Sequence, residues 1–423
     1  MTMLKTLTAA LILSAAASPA FAQDYFISDA KLVTNTSKGM MENADVIIRA
    51  GKIAQIGTDL TAPAGAELIN ADGRWVTPGL FAPFSRLGLM DIGGEDVTND
   101  TSSGDSETSI SELASDSFNP KTVFIANTRR MGVTHAVISP SAAGDSIFGG
   151  TGAIINLSGG YDSIEMPRAF VHVQLGEGGT RRAGGSRAAA LQQLRSALND
   201  AQAYPSRYKG PEDGDALTRQ DAKALVGAAR GDMPLLISAN RAMDMLNIIA
   251  LKKDIKSLDI IILGAAEAWQ IADELAAADI KVMVDPHENL PSSFDSVGAR
   301  LDNVVLLDKA GVDYAITNAS ALGIQRPATL AQHAGNAVGN GLDWEKAFTA
   351  ITSTPANWFG LKASLSNGDA ASLVVWDGDP LDVTSAPTDM FINGERQSLE
   401  SRQTALRDRY NPTSEDTRPH KYR

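Results

Sequence analysis

Between two β-rich ends the chain alternates short apolar runs with helical stretches, and this alternation limits the available folds more than any other feature. Apolar runs fall at Val133 to Ser139, Ala153 to Leu157, Ala169 to Val173, Leu235 to Ser238, Ile260 to Leu263, Lys281 to Val284, Asn303 to Leu307 and Tyr314 to Thr317. Helical patterns sit among them at Arg187 to Ala203, Gln220 to Ala229, Ala242 to Lys252, Ala266 to Ala278 and Ala328 to Gly339. Buried strands alternating with helices predict a parallel sheet covered on both faces, and the number of units fits an eight-stranded β/α barrel better than an open sheet.

The two ends read differently. Residues 24–79 carry short strands, from Tyr25 to Val33, Asp45 to Ile48, Ile53 to Ile56 and Arg74 to Val76, with turn residues between them. Ser372 to Trp376 and Met390 to Ile392 are similar, so a small β-domain drawn from both ends is expected to bracket the barrel. The expected boundaries are 1–22 for a signal peptide, 23–79 and 359–400 for the two parts of the small domain, 80–358 for the barrel and 401–423 for a charged tail. Two stretches break the alternation: Asp91 to Asp116, read as a mobile polar loop, and the glycine-rich Gly176 to Gly185, also read as a loop.

The leader reading rests on Lys5, the apolar run Leu7 to Ala17 and Ala20-Phe21-Ala22, which predict cleavage before Gln23 and export, most simply to the periplasm. The run is too short to span a bilayer. A formal charge of −13 excludes a nucleic-acid surface, which needs clustered Lys and Arg. With 43% hydrophobic and 21% charged residues the chain is globular, and with 5 His and no Cys it is poor in soft metal ligands and has no thiol for catalysis.

Three segments carry a resemblance. They are Asp45 to Gly57 (DVIIRAGKIAQIG), Val76-Thr77-Pro78-Gly79-Leu80, and Ile351 to Ala356 together with Leu373 to Leu381 (LVVWDGDPL). They resemble the imidazolonepropionase-like branch of the amidohydrolase superfamily and frame nearly all of the chain after the leader. The resemblance implies a TIM-like (β/α)8 barrel with a small composite β-sandwich domain, and a metal-dependent hydrolase of non-peptide C–N bonds. In such enzymes the metal activates water and an Asp on the last barrel strand handles the proton. Family sequences continue Pro-Gly-Leu-Ile-Asp-x-His-x-His, whereas this chain has Ala82, Phe84 and Arg86 at the Asp and His positions. Phe has no lone pair, and a guanidinium repels a divalent cation. Ser238 stands where a middle-barrel His is usual, Ile261 to Gly264 ends without a His, and Asn318 replaces the last-strand Asp. The resemblance therefore implies the family shell without its metal or any other cofactor, and a degenerate enzyme with a ligand-binding barrel.

Arg86, Ser238, Asn240, Arg241 and Asn318 are the expected polar lining of that barrel, for a small-molecule or peptide-like ligand. His287, in Asp285-Pro286-His287-Glu288-Asn289 after an apolar strand, is the candidate base if a metal-independent hydrolase survives. His135 and His172 read as strand histidines, His333 as a solvated helical face and His420 as part of the tail. Gly149-Gly150-Thr151-Gly152 precedes a strand rather than a helix and is a weak phosphate loop, and Gly184-Gly185-Ser186-Arg187-Ala188 ends in Ala and follows no strand, unlike a nucleophile elbow. No membrane contact is expected after leader cleavage. Self-association, and a partner role among active homologues, stay open.

Overall fold

The computed structural model describes residues 23–104, 107–208, 216–318, 324 and 327–411. Residues 1–22, expected to be a leader, and residues 412–423, with His420, lie outside the described residues.

Two sheets of eight strands each organise the molecule. The first uses β1 (Tyr25–Val33), β2 (Met40–Arg49), β3 (Lys52–Gly57), β4 (Glu67–Asn70) and β5 (Trp75–Pro78). The second follows at once, with β6 (Leu80–Ser85), β7 (Val133–Ile138), β8 (Phe148–Asn156), β9 (Ile164–Gln174), β10 (Leu235–Ala239), β11 (Ile260–Gly264), β12 (Lys281–Val284) and β13 (Tyr314–Ile316). The chain then returns to the first sheet with β14 (Leu373–Trp376), β15 (Pro387–Ile392) and β16 (Glu395–Arg396). The order in the first sheet is β16-β15-β14-β5-β1-β2-β3, with β4 beside β1, so both chain ends do build it.

In the second sheet each strand from β6 to β13 pairs with the next. The remaining gap is spanned by the chain at 350–351: Ile316 N–H donates to the Ala350 carbonyl at 3.0 Å and Phe81 N–H to the Ile351 carbonyl at 2.9 Å. The result is a nearly closed barrel. It is not wholly parallel, however, because β8 runs antiparallel to both β7 and β9. No helix lies between β7, β8 and β9, and a parallel crossover needs one or an equivalent length of chain.

The helices are α1 (Ala114–Ser117), α2 (Val123–Arg129), α3 (Gly176–Arg182), α4 (Arg187–Gln202), α5 (Arg219–Arg230), α6 (Ala242–Asp254), α7 (Ala272–Ala277), α8 (Asn303–Ala310), α9 (Leu330–Gly339), α10 (Trp344–Thr349), α11 (Ser353–Trp358) and α12 (Arg402–Tyr410). Three of them replace expected features. The apolar run from Asn303 is helix α8 and not a strand. Its start is pinned by Asn303, which accepts from Trp269 N–H at 3.0 Å and donates to the Ala265 carbonyl at 3.0 Å, and its end is the left-handed Gly311. The glycine-rich stretch folds as α3 because the Asp295 carboxylate accepts from Glu177 N–H at the helix start. The charged segment after residue 400 begins as α12, closed by a Ser401–Thr404 capping box. The polar stretch before α1 is anchored in its second half. Buried Asp221 accepts from the backbone N–H groups of Ser109 and Ser111 at 2.9 and 2.8 Å.

The two sheets meet at Thr77-Pro78-Gly79-Leu80. Gly79 N–H bonds the Ser372 carbonyl of the first sheet at 3.1 Å, and Leu80 N–H bonds the Gly132 carbonyl on the barrel side at 2.9 Å. Trp376, buried, donates its indole N–H to Thr77 Oγ1 at 2.9 Å across the same joint. A Cβ on Gly79 would lie 2.1 Å from Thr134 Cγ2 and 2.3 Å from its Oγ1. Thr134 is itself buried on β7 and cannot withdraw without moving the strand. Gly79→Ala is therefore expected to cost about 1–3 kcal/mol in chemical denaturation through overpacking; an unchanged midpoint would show that the joint is looser than described.

Candidate functional site

Side chains alternate along a strand, so every second residue of a barrel strand faces inward. Phe81, Phe84, Val137, Ile154, Phe170, Leu236, Ile261, Met283 and Ala315 pack into one buried cluster inside the barrel. This plug makes the interior a core and not a pore. Two residues further along β9, β10, β11 and β12 come His172, Ser238, Leu263 and, just past the last strand, Asp285. These four residues line a cavity of about 580 Å³ at the C-terminal strand ends, with Phe84, Arg86, Asn240, His287 and Glu288. That face is where barrel enzymes carry their chemistry.

His172 is the most constrained group in the cavity. Its Nδ1 lies 2.8 Å from the Pro140 carbonyl oxygen and its Nε2 lies 2.9 Å from Ser238 Oγ. A carbonyl oxygen only accepts, so Nδ1 carries the ring proton and Nε2 receives the Ser238 hydroxyl proton. Phe84 meets the ring edge-on at 5.8 Å between centroids. The glycines of β8 make room for these partners. A Cβ on Gly149 would lie 2.8 Å from His172 Nδ1, and one on Gly152 would lie 2.0 Å from the Phe170 ring. The glycine run that reads as a weak phosphate loop is thus packing space for β9. Burial, first, and repulsion from Arg86 push the His172 pKa down to about 4, against the opposing pull of the Pro140 carbonyl.

Arg86 follows β6 and turns into the same cavity, its backbone N–H bonded to the Ile324 carbonyl at 2.7 Å. Its Nε is sealed from solvent and has no hydrogen-bond partner among the described residues. Burial lowers its pKa, with no carboxylate acting against it. Sealing a donor without a partner costs about 1–3 kcal/mol.

Of the expected lining residues, Arg86, Ser238 and Asn240 converge on the cavity, together with the candidate base His287. His287 is exposed at the rim, its backbone N–H on the Asp285 carboxylate at 3.0 Å. Arg241 and Asn318 do not line the cavity. Arg241 is the N-cap of α6, and Asn318 is buried with its amide donating to Thr329 Oγ1 at 3.1 Å. His333 is not on a solvated face. Helix α9 brings its Nδ1 within 2.7 Å of Asp285 Oδ1, and its ring sits 5.4 Å from that of His287. His172 escaped the sequence reading because flanking apolar residues mark a strand without saying which face a side chain takes. The available signal was its two-residue offset from Phe170, matching that of Ser238 from Leu236.

A divalent cation does not fit this donor set. Phe84 offers no lone pair, Arg86 repels a cation, Asp285 is taken by His333, and both His172 nitrogens have partners. Among the described residues, no group of three or more His, Asp or Glu side chains could hold a metal.

No family model matches the chain. A 48-residue stretch is 42% identical to a dihydroorotase from Pelobacter propionicus, a match that spans only 11% of that relative's length and 11% of this chain. Solved structures match over nearly all of the fold. An amidohydrolase from Thermotoga maritima superimposes with a TM-score of 0.79 at 24% identity, over 88% of this chain and 99% of its own. The chain has the amidohydrolase fold. Molinate hydrolase shares this fold with a TM-score of 0.56 at 17% identity, over 90% of this chain and 95% of its own. N-isopropylammelide isopropylaminohydrolase from Burkholderia multivorans follows with 0.50 at 16%, over 88% and 98%.

The depressed His172 pKa has a thermodynamic consequence within this amidohydrolase fold. The folded value of about 4 lies below the ordinary value of about 6.5, so the unfolded chain binds the proton more readily. The neutral ring contributes its full stability above about pH 6.5, and loses up to about 3 kcal/mol as pH falls towards about 4. His135, also pushed down by burial, acts in the same direction. Denaturation midpoints across that window should fall with pH, and His172→Gln should flatten the slope; equal slopes in both proteins would contradict the assignment.

Proposed function

We propose that this protein is an exported member of the amidohydrolase superfamily in which metal-dependent hydrolysis of C–N bonds has been lost, and whose barrel mouth binds a small molecule bearing a carboxylate. The observation that carries the reading is Arg86, a guanidinium in the cavity whose sealed Nε lacks a partner among the described residues. A carboxylate meets a guanidinium with charge-assisted hydrogen bonds, and one bound in the cavity would bring negative charge to a buried guanidinium whose Nε is left unpaired. It would also bring negative charge to the position where the family uses a cation to polarise its substrate, so the electrostatic demand of the site is inverted. Asn240 and Ser238 add neutral polar groups, while Leu263 and Phe84 provide apolar wall. This mixture suits a compact N-acyl amino acid or short peptide. Export rests on the leader pattern of Lys5, Leu7 to Ala17 and Ala20-Phe21-Ala22, with Gln23 as the mature start.

A thermal-shift screen of N-acyl amino acids and short peptides tests the reading. At roughly 100 times its Kd, a ligand of the folded state adds about 2.7 kcal/mol of stability, which raises the melting temperature by several degrees. At least one carboxylate-bearing compound should do this for the wild type and lose the effect in Arg86→Met. Without ligand, Arg86→Met should melt at or above the wild type, because it removes an uncompensated buried charge. A shift that survives in Arg86→Met, or no shift with any acidic compound, would contradict the reading.

A further inference from the structure

The cavity also holds a hydrogen-bonded pair, Ser238 and His172, to which the binding reading assigns no chemistry. Ser238 Oγ and His172 Nε2 are 2.9 Å apart, and the opposite ring nitrogen donates to the Pro140 carbonyl at 2.8 Å. A hydroxyl, a neutral imidazole with its lone pair turned to that hydroxyl, and an acceptor fixing the tautomer are the three parts of an activated serine. They come from separate elements: Ser238 from β10, His172 from β9 and Pro140 from the chain after β7. Among the described residues, Ser238 Oγ has no second hydrogen-bond partner, and the residue is half-buried on the cavity wall.

We propose that Ser238 is the nucleophile and His172 the general base of a metal-independent acyl transfer on amides or esters that carry a carboxylate. The carboxylate clause rests on the binding reading given for Arg86. The orienting group here is a neutral carbonyl, which cannot offset the positive charge the ring gains during attack. Arg86 adds to that charge by repulsion. A substrate carboxylate on Arg86 removes the repulsion, so binding of the right substrate class and basicity of His172 rise together.

The steps balance. Ser238 Oγ attacks the carbonyl carbon as its proton passes to His172 Nε2, giving a tetrahedral intermediate. The C–N or C–O bond to the leaving group then breaks, His172 returns the proton to the departing amine or alkoxide, and the acyl group stays on Ser238. Water, deprotonated by His172, attacks the acyl carbon. The carboxylic acid leaves, the proton returns to Ser238, and no oxidant or metal takes part.

A fluorophosphonate probe, which carries no carboxylate, tests the pair independently of Arg86. Attack forms a Ser238 O–P bond, breaks the P–F bond and releases fluoride. Intact mass should show one phosphonyl group on the wild-type protein, mapped to Ser238 and absent from folded Ser238→Ala. No adduct, or an adduct retained in Ser238→Ala, would overturn the proposal even if acidic ligands bind. The base role has its own readout, because the chain contains no Cys. In Ser238→Cys the single thiol should be alkylated by iodoacetamide on the order of tenfold faster than in Ser238→Cys combined with His172→Gln, since a histidine partner raises the thiolate fraction. Equal alkylation rates would reduce the pair to a structural hydrogen bond and overturn the proposal.

Discussion

Gly79 is the point at which the chain leaves one sheet and enters the other, and there is no space there for a side chain. Its backbone bonds to the first sheet while the next residue bonds to the barrel, and Thr134 fills the place a Cβ would take. The contact sits beside the first pairing of β6 with β7, Leu80 opposite Val133. Register shifts along β6 then bring both Phe81 and Phe84 into the barrel plug, and Arg86 follows into the cavity.

The inner wall then repeats a single rule on four neighbouring strands. An apolar residue fills the plug, and the inward residue two places on reaches the cavity: Phe170 then His172, Leu236 then Ser238, Ile261 then Leu263, Met283 then Asp285. Two of those four places hold the paired imidazole and hydroxyl, and one holds a carboxylate that a helix-borne histidine has taken. The nearest cation is a guanidinium. A site of this kind has its hydrogen bonds arranged around a neutral ring, with the Arg86 guanidinium and the Asp285 and Glu288 carboxylates in the same lining.

Much of the architecture was legible because it is written in periodicity and in turn residues. The barrel strands β7, β9, β10, β11, β12 and β13, the helices α4, α5 and α6 and the two-ended first sheet all follow from apolar runs and their punctuation. The failures have physical causes. Asn303 to Leu307 is equally apolar as strand or helix, and only Asn303 and the Lys309-Ala310-Gly311 ending marked it as helical. The reversal of β8 is a matter of connection length, which apolarity does not encode. In the site, Arg86, Ser238, Asn240 and His287 could be placed by position relative to strand ends. Arg241 and Asn318 could not, since a single residue's shift at a strand end moves a side chain out of the cavity. His172 and His333 needed the third dimension, because their partners are 66 and 48 residues away in sequence.

The central claim is that the charge at the barrel mouth is a protein guanidinium and not a metal ion. The most direct measurement is the metal content of the purified protein by elemental mass spectrometry, after exposure to zinc and manganese and removal of the free ions. The account predicts far less than one equivalent of either metal per chain. Near-stoichiometric zinc or manganese that survives the removal step would contradict it.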